Sequence, residues 1–193
     1  MIIIFEGCRN SGKTFLSKKI SGDLSIQRYQ FDFVNYFTGL NLKSNGSESS
    51  QSFSMGKDLM LMQLNRDGFI KDDLIIDRGF LTVLSWGILE KRVDFPTAKD
   101  QMRILADNDL TKDVHVIYIE GDNPDKSERN KDQWDDIEKS GSERISYELM
   151  LGHIESTYPQ VGVTRFKNNF NEQSIKELIN IVSNVRNNTN NRV

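Results

Sequence analysis

Eight residues near the start of the chain, Gly7-Cys8-Arg9-Asn10-Ser11-Gly12-Lys13-Thr14, set glycines, a lysine and a hydroxyl at the spacing G-x-x-x-x-G-K-[ST]. This set of residue types is suited to holding phosphate. Glycines let the backbone turn tightly, so that successive N–H groups converge on one anion. A helix beginning at the lysine adds its positive end. Lys13 has the reach and charge for β- and γ-phosphates, and the Thr14 hydroxyl suits a magnesium ion. Gly7, Asn10, Ser11, Gly12, Lys13 and Thr14 are therefore expected to bind a nucleotide, with ATP and Mg2+ as the implied cofactors.

A second group lies some sixty residues on, in Leu74-Ile75-Ile76-Asp77-Arg78-Gly79. An Asp at the C-terminal end of a buried strand sits where an open α/β sheet builds its site. There Asp77 can order the magnesium water shell, and Arg78 can clamp a phosphate or the acceptor. The other reactive side chains stand apart from this pattern. Cys8 is the only cysteine, so no internal disulfide forms, and a reducing compartment, the cytoplasm, is expected. Its place in the loop raises two readings: a tolerated small side chain, or a thiol of lowered pKa beside the amides. The two histidines, His115 and His153, have no visible metal partner and are read as structural.

Positioning these groups requires a strand before each motif and a helix after the first. Apolar runs predict strands at Ile2–Phe5, Gln27–Phe33, Leu74–Ile76, Val114–Ile119 and Val161–Phe166. Because helical patterns separate them, they are expected to lie parallel, covered on both faces. Phe15, Leu16 and Ile20 share one helical stripe; Met55, Leu59 and Met62 form another; Ile175, Leu178, Ile179 and Val182 a third. The methionines are read as core filler. Asn41–Ser52 is expected to be a loop, 121–142 a charged mobile segment and 187–193 a frayed polar tail. At 193 residues the chain suits a single domain, 1–193, beginning at its first residue. A net charge of −3 leans against nucleic acid as the main partner. No apolar run reaches the ~18 residues of a membrane span.

These motifs together resemble the thymidylate kinase and deoxynucleoside kinase group of small P-loop kinases. Phe5-Glu6-Gly7 with Gly12-Lys13-Thr14 is similar to the thymidylate kinase opening, and Asp77-Arg78 to that family's Asp-Arg-Tyr segment. The resemblance implies a P-loop NTPase three-layer sandwich: an α/β fold with a parallel sheet of about five strands, helices on both faces and a mobile lid at 121–142. It places Ser85-Trp86 where the family stacks an aromatic ring on the acceptor base. It places Pro124 and Arg129 at the lid entry, and Asn168–Phe170 at the adenine-side loop. A homodimer packed through helices is also implied. Arg9, Asn10, Gly79, Gly87 and Gln133 depart from the family pattern, and they leave the acceptor unnamed.

The reaction expected is phosphoryl transfer, which needs positioning and charge neutralisation more than covalent chemistry. Arg129 is the first candidate for a lid cation, with Lys126, Lys131 and Arg144 behind it, and Arg9 as a cation from within the loop. A nucleoside acceptor needs a base, for which Asp32 is placed; a monophosphate acceptor needs cations, for which Arg78 and Arg66 are available. Phe33, Phe37, Phe53 and Trp86 can wall the acceptor. The leading expectation is an ATP- and magnesium-dependent kinase of a small-molecule nucleoside or nucleoside monophosphate. The alternatives are a kinase acting on nucleic acid, at a 5′-hydroxyl or a modified base, and a non-catalytic nucleotide-binding module.

Overall fold

Ile2–Glu6 form strand β1, in which all five residues are buried, as expected of a central strand covered on both faces. The computed structural model describes residues 1–30, 48–121 and 137–190. In these, β1 is followed by α1 (Lys13–Leu24), β2 (Gln27–Gln30), α2 (Glu48–Arg66), β3 (Leu74–Asp77), α3 (Phe80–Leu89), α4 (Phe95–Asp107), β4 (Val114–Glu120), α5 (Ile137–Thr157), β5 (Gly162–Lys167) and α6 (Glu172–Asn190). The strands make one sheet in the order β2-β3-β1-β4-β5, and every pairing is parallel.

Alternation along each strand divides the core into two layers. Ile2, Ile4, Leu74, Ile76, Val114 and Val116 face one way and pack on Met55 and Met62 of α2, Phe80 and Leu84 of α3, Met102 of α4 and Tyr147 of α5. Ile3, Phe5, Ile75, Ile117 and Ile119 face the other way, onto Leu16 and Ile20 of α1 and Leu178 and Val182 of α6. This is the three-layer sandwich expected from the sequence. Each of these buried aliphatic side chains contributes about 1.5–3 kcal/mol of transfer free energy, so the sheet forms a stiff platform for the loops at its end.

Four local expectations are revised. Phe15 is 63% exposed, and the stripe of α1 runs through Leu16, Ser17 and Ile20 instead. Residues 48–52 belong to α2 and 137–142 to α5, so helix occupies the ends of the two segments expected as loops. Residues 187–190 continue α6. Polar sequence extends a helix once its apolar face has nucleated it, because each further residue adds a hydrogen bond without repeating the nucleation cost. Helix α4 depends on local signals: Asp94 caps it by accepting the Thr97 N–H at 2.8 Å, and Pro96 lies in its first turn. Among the described residues no helix is long and apolar enough to cross a membrane.

Candidate active site

The strand order reverses direction at β1: the chain moves to one side for β2 and to the other for β4. In a doubly wound sheet this leaves a crevice at the C-terminal ends of the strands. Phe5 pairs with Asp77 and Glu6 with Tyr118, so the loop after β1 begins between the ends of β3 and β4. That loop is Gly7–Gly12, running into α1. Gly7 has φ +144°, and a Cβ there would lie 2.4 Å from the Ile119 carbonyl oxygen. Gly12 has φ +85°, and a Cβ there would lie 2.5 Å from Asn168 Nδ2. Both positions need glycine for backbone angle and for space. Asn10 takes a left-handed φ of 59° between them, a conformation its short amide tolerates.

Lys13 is buried, and its Nζ donates to the Cys8 carbonyl oxygen within the loop at 2.8 Å. Burial, together with the Arg78 charge, pushes its pKa down to about 7, against the opposite pull of Glu143, Asp77 and Glu6. Two cations thus converge where loop amides also gather, an arrangement an anionic ligand would relieve. Thr14 is exposed on the first turn of α1. Asp77 is buried at the end of β3; its Oδ2 accepts from Arg28 Nη2 at 2.6 Å, and its Oδ1 has no hydrogen-bond partner. A buried carboxylate oxygen with spare capacity at the end of β3 and a threonine hydroxyl on the first turn of α1 are hard-oxygen donors of the kind magnesium takes. Magnesium usually takes one or two protein ligands and completes its shell with water and substrate phosphates, so no larger cage is needed.

The turn after β3 is built by a residue whose part in the site the sequence did not reveal. Glu6 is fully buried; its Oε1 accepts the N–H groups of Gly79 at 2.9 Å and Thr82 at 3.2 Å, and its Oε2 contacts the Thr82 hydroxyl. That hydroxyl also lies 2.8 Å from Tyr147 Oη on α5. Burial raises the Glu6 carboxyl to about 7, although the bonds from Thr82 and Gly79 oppose the shift. This brace holds Arg78 in a left-handed conformation, φ 70°, with its N–H on the Phe5 carbonyl at 3.1 Å. An arginine in that region is strained, and such strain persists only where surrounding bonds fix it. The side chain is exposed at the mouth of the crevice.

Further side chains converge from elements far apart in sequence. The Arg9 guanidinium lies 4.2 Å above the Trp86 ring, and both meet Glu143 of α5. Trp86, on α3, is thereby brought against the loop after β1. Asn168, after β5, donates Nδ2–H to the Ser11 carbonyl at 2.9 Å and braces the loop from behind. Asp58 of α2 is buried, and Lys57 lies against its Oδ1 as an ion pair. Burial raises Asp58 to about 6, and its charge adds to the upward shifts of Glu6 and Tyr29. Arg28, Asp58 and Glu143 carry no sequence signal, because their roles depend on contacts between distant segments.

Some expected residues are not brought together here. Arg66 ends α2, and its Nη1 donates to the Asn108 carbonyl at 3.0 Å, where β3 and β4 begin. It thus lies at the opposite edge of the sheet from the phosphate loop, which removes it from the acceptor site. Asp32, Phe33, Phe37, Lys126, Arg129 and Lys131 lie outside the described residues. Burial raises the Cys8 thiol, whose Sγ lies 3.6 Å from Tyr118 Oη, so the structure reverses the direction that a reactive thiolate requires. His115 meets Thr164 Oγ1 at 2.8 Å, and His153 packs edge-on to Phe95 and Tyr158, as structural histidines do.

No family model and no curated protein matches the chain at the level of sequence. Solved structures share its fold. A thymidylate kinase from Candida albicans is 15% identical, covers 96% of this chain and 92% of its own, and has a TM-score of 0.63. A thymidylate kinase from Ehrlichia chaffeensis is 17% identical, with 96% and 97% covered and a TM-score of 0.62. The deoxyadenosine kinase from M. mycoides with bound dCTP is 15% identical, with 95% and 100% covered and a TM-score of 0.56. The fold is therefore shared with these thymidylate and deoxyadenosine kinases along nearly the whole chain.

Proposed function

We propose that this protein is a cytoplasmic kinase that transfers the γ-phosphoryl group of ATP, with magnesium, to a nucleoside monophosphate or a nucleoside. One observation carries the reading: Lys13, Arg78 and the spare oxygen of Asp77 converge at the C-terminal ends of β1 and β3, beside a glycine-bounded loop. The first half of this site suits a nucleoside triphosphate. Loop amides and Lys13 hold the donor phosphates and offset the charge that moves onto their oxygens in the transition state. Magnesium, held through Thr14 and Asp77, would supply further neutralisation between the phosphates. Arg28 aims Asp77 by occupying its other oxygen. Arg78 faces the mouth of the crevice, where it can bind an acceptor phosphate, and Trp86 offers a ring to the acceptor base. Arg129 is proposed as the lid cation and Asp32 as the base for a nucleoside hydroxyl.

The experiment that tests this reading supplies radiolabelled ATP and magnesium with deoxynucleosides, nucleoside monophosphates and oligonucleotides. Transfer to one of the first two classes is expected. Transfer to oligonucleotides alone, or tight ATP binding with no transfer to any acceptor, would overturn it. Asp32→Asn then separates the small-molecule classes. It should depress turnover of nucleosides by roughly 10²-fold, the usual scale for losing a general base, and spare monophosphates.

A further inference from the structure

Helix α5 follows the segment expected to cover the site, and it carries a buried acid, Glu143. Its carboxylate serves three partners. The Arg9 backbone N–H donates to Oε1 at 3.2 Å and to Oε2 at 3.4 Å. The Trp86 indole N–H donates to the same Oε1 at 3.2 Å. The Arg9 Nε lies 3.8 Å from Oε2, while the guanidinium covers the Trp86 ring. Glu143 is 3% exposed, so its charge has left bulk water and depends on these donors. One buried carboxylate thus ties together the phosphate loop, the aromatic ring of α3 and the helix that follows the lid segment.

The two partners lie on different elements, the loop after β1 and helix α3. Arg9 lies inside the loop read as the donor site, so phosphate binding that rearranges the loop acts on its N–H. Trp86 lies on the helix that begins two residues after Arg78, the residue proposed to bind an acceptor phosphate. With both donors on the same oxygen, neither can move far without disturbing the other. A cation stacked on the ring face strengthens the link and also covers that face.

We propose that Glu143 is a positioning residue that couples the two halves of the site: donor binding at the phosphate loop is passed through Arg9 and Glu143 to the orientation of Trp86. The inference rests on the reading of Gly7–Thr14 as a donor site. It goes further, in that acceptor recognition depends on a carboxylate that touches neither substrate.

The test uses the full chain carrying Trp134→Phe, which leaves Trp86 as the sole tryptophan. Magnesium and ATP are titrated while Trp86 emission is followed, and ATP affinity is read separately by calorimetry. Emission is expected to shift on saturation. In Glu143→Ala the shift should be lost and the acceptor KM should rise about tenfold, while ATP affinity stays within about threefold, the pattern of an acceptor-side defect. Glu143→Gln keeps an oxygen where both N–H groups donate, and it should restore most of the shift. Should Glu143→Ala fail to fold, Glu143→Asp carries the same expectation, because its shorter stem withdraws the carboxylate from both donors. ATP binding with an undiminished emission shift in these variants overturns the coupling alone. Absence of ATP binding in the parent protein overturns both the coupling and the donor-site reading beneath it.

Discussion

The sides of the crevice proposed for donor and acceptor are held by different kinds of structure. The donor side is eight contiguous residues fixed by backbone geometry: two glycines at positive φ, a helix start, and a lysine folded onto its own loop. The side chains proposed to face the acceptor come from separate elements: Arg78 after β3 and Trp86 of α3, whose indole N–H is held by Glu143 of α5. Backbone geometry tolerates almost no substitution, because a Cβ in the wrong place strikes a carbonyl. Side-chain geometry tolerates change one residue at a time, and that is how acceptor preference can diverge while phosphate binding stays constant. Arg9 marks the boundary, with its N–H in the loop and its guanidinium over Trp86.

This contrast can be broken most severely at Gly12. Gly12→Ala adds a methyl 2.5 Å from Asn168 Nδ2 and 3.1 Å from Phe170, at a φ that disfavours any side chain. Strain and clash together should cost about 3 kcal/mol of stability, read by denaturant unfolding, and ATP binding should be lost. A variant as stable as the parent would show that the donor side is not rigid in the way described.

A more moderate effect is expected at Glu6, the acid that links the two sides. Its pKa is raised in the folded protein from 4.5 to about 7. The folded state therefore binds more protons than the unfolded one between these values, so Glu6 contributes its stability below pH 4.5 and loses it as the pH rises through 7. Glu6→Gln keeps an oxygen for the Gly79 and Thr82 N–H groups and stays neutral. It should match the parent below pH 4.5 and exceed it by up to about 3 kcal/mol at pH 8, since each pKa unit is worth about 1.4 kcal/mol. Parallel pH–stability curves for the two proteins would remove the burial argument for Glu6.

The smallest effect is expected at Arg66. Its contacts are exposed and lie at the far edge of the sheet. Arg66→Ala should change stability by less than about 0.5 kcal/mol, as surface substitutions do, and leave the acceptor KM unchanged. A clear rise in that KM would return Arg66 to the acceptor side.

The same division explains what the sequence revealed. The phosphate loop was legible because its requirements are local: glycine where φ is positive, lysine and threonine at the helix start. The strands were legible because buried runs such as Ile2–Phe5 and Leu74–Ile76 admit few alternatives. Asp77-Arg78 was legible as a strand end, and Trp86 through family resemblance. Glu143 lay unmarked in a charged stretch, since burial of one acid among many depends on which helix face turns inward. Arg28 and Asp58 were hidden for the same reason. Arg66 was misplaced because a cation near a helix end gives no sign of which end of the sheet it will face.

The central claim, that Lys13 and its loop hold a donor nucleotide for phosphoryl transfer, is tested most directly by single-turnover transfer from labelled ATP with the best acceptor. Lys13→Ala removes one buried charge and leaves the glycine-bounded loop intact. A loss of transfer rate on the order of 10³-fold is expected, the scale of removing a charge-stabilising group from a transition state, with the fold retained by circular dichroism. Transfer at the full parental rate in Lys13→Ala would contradict it.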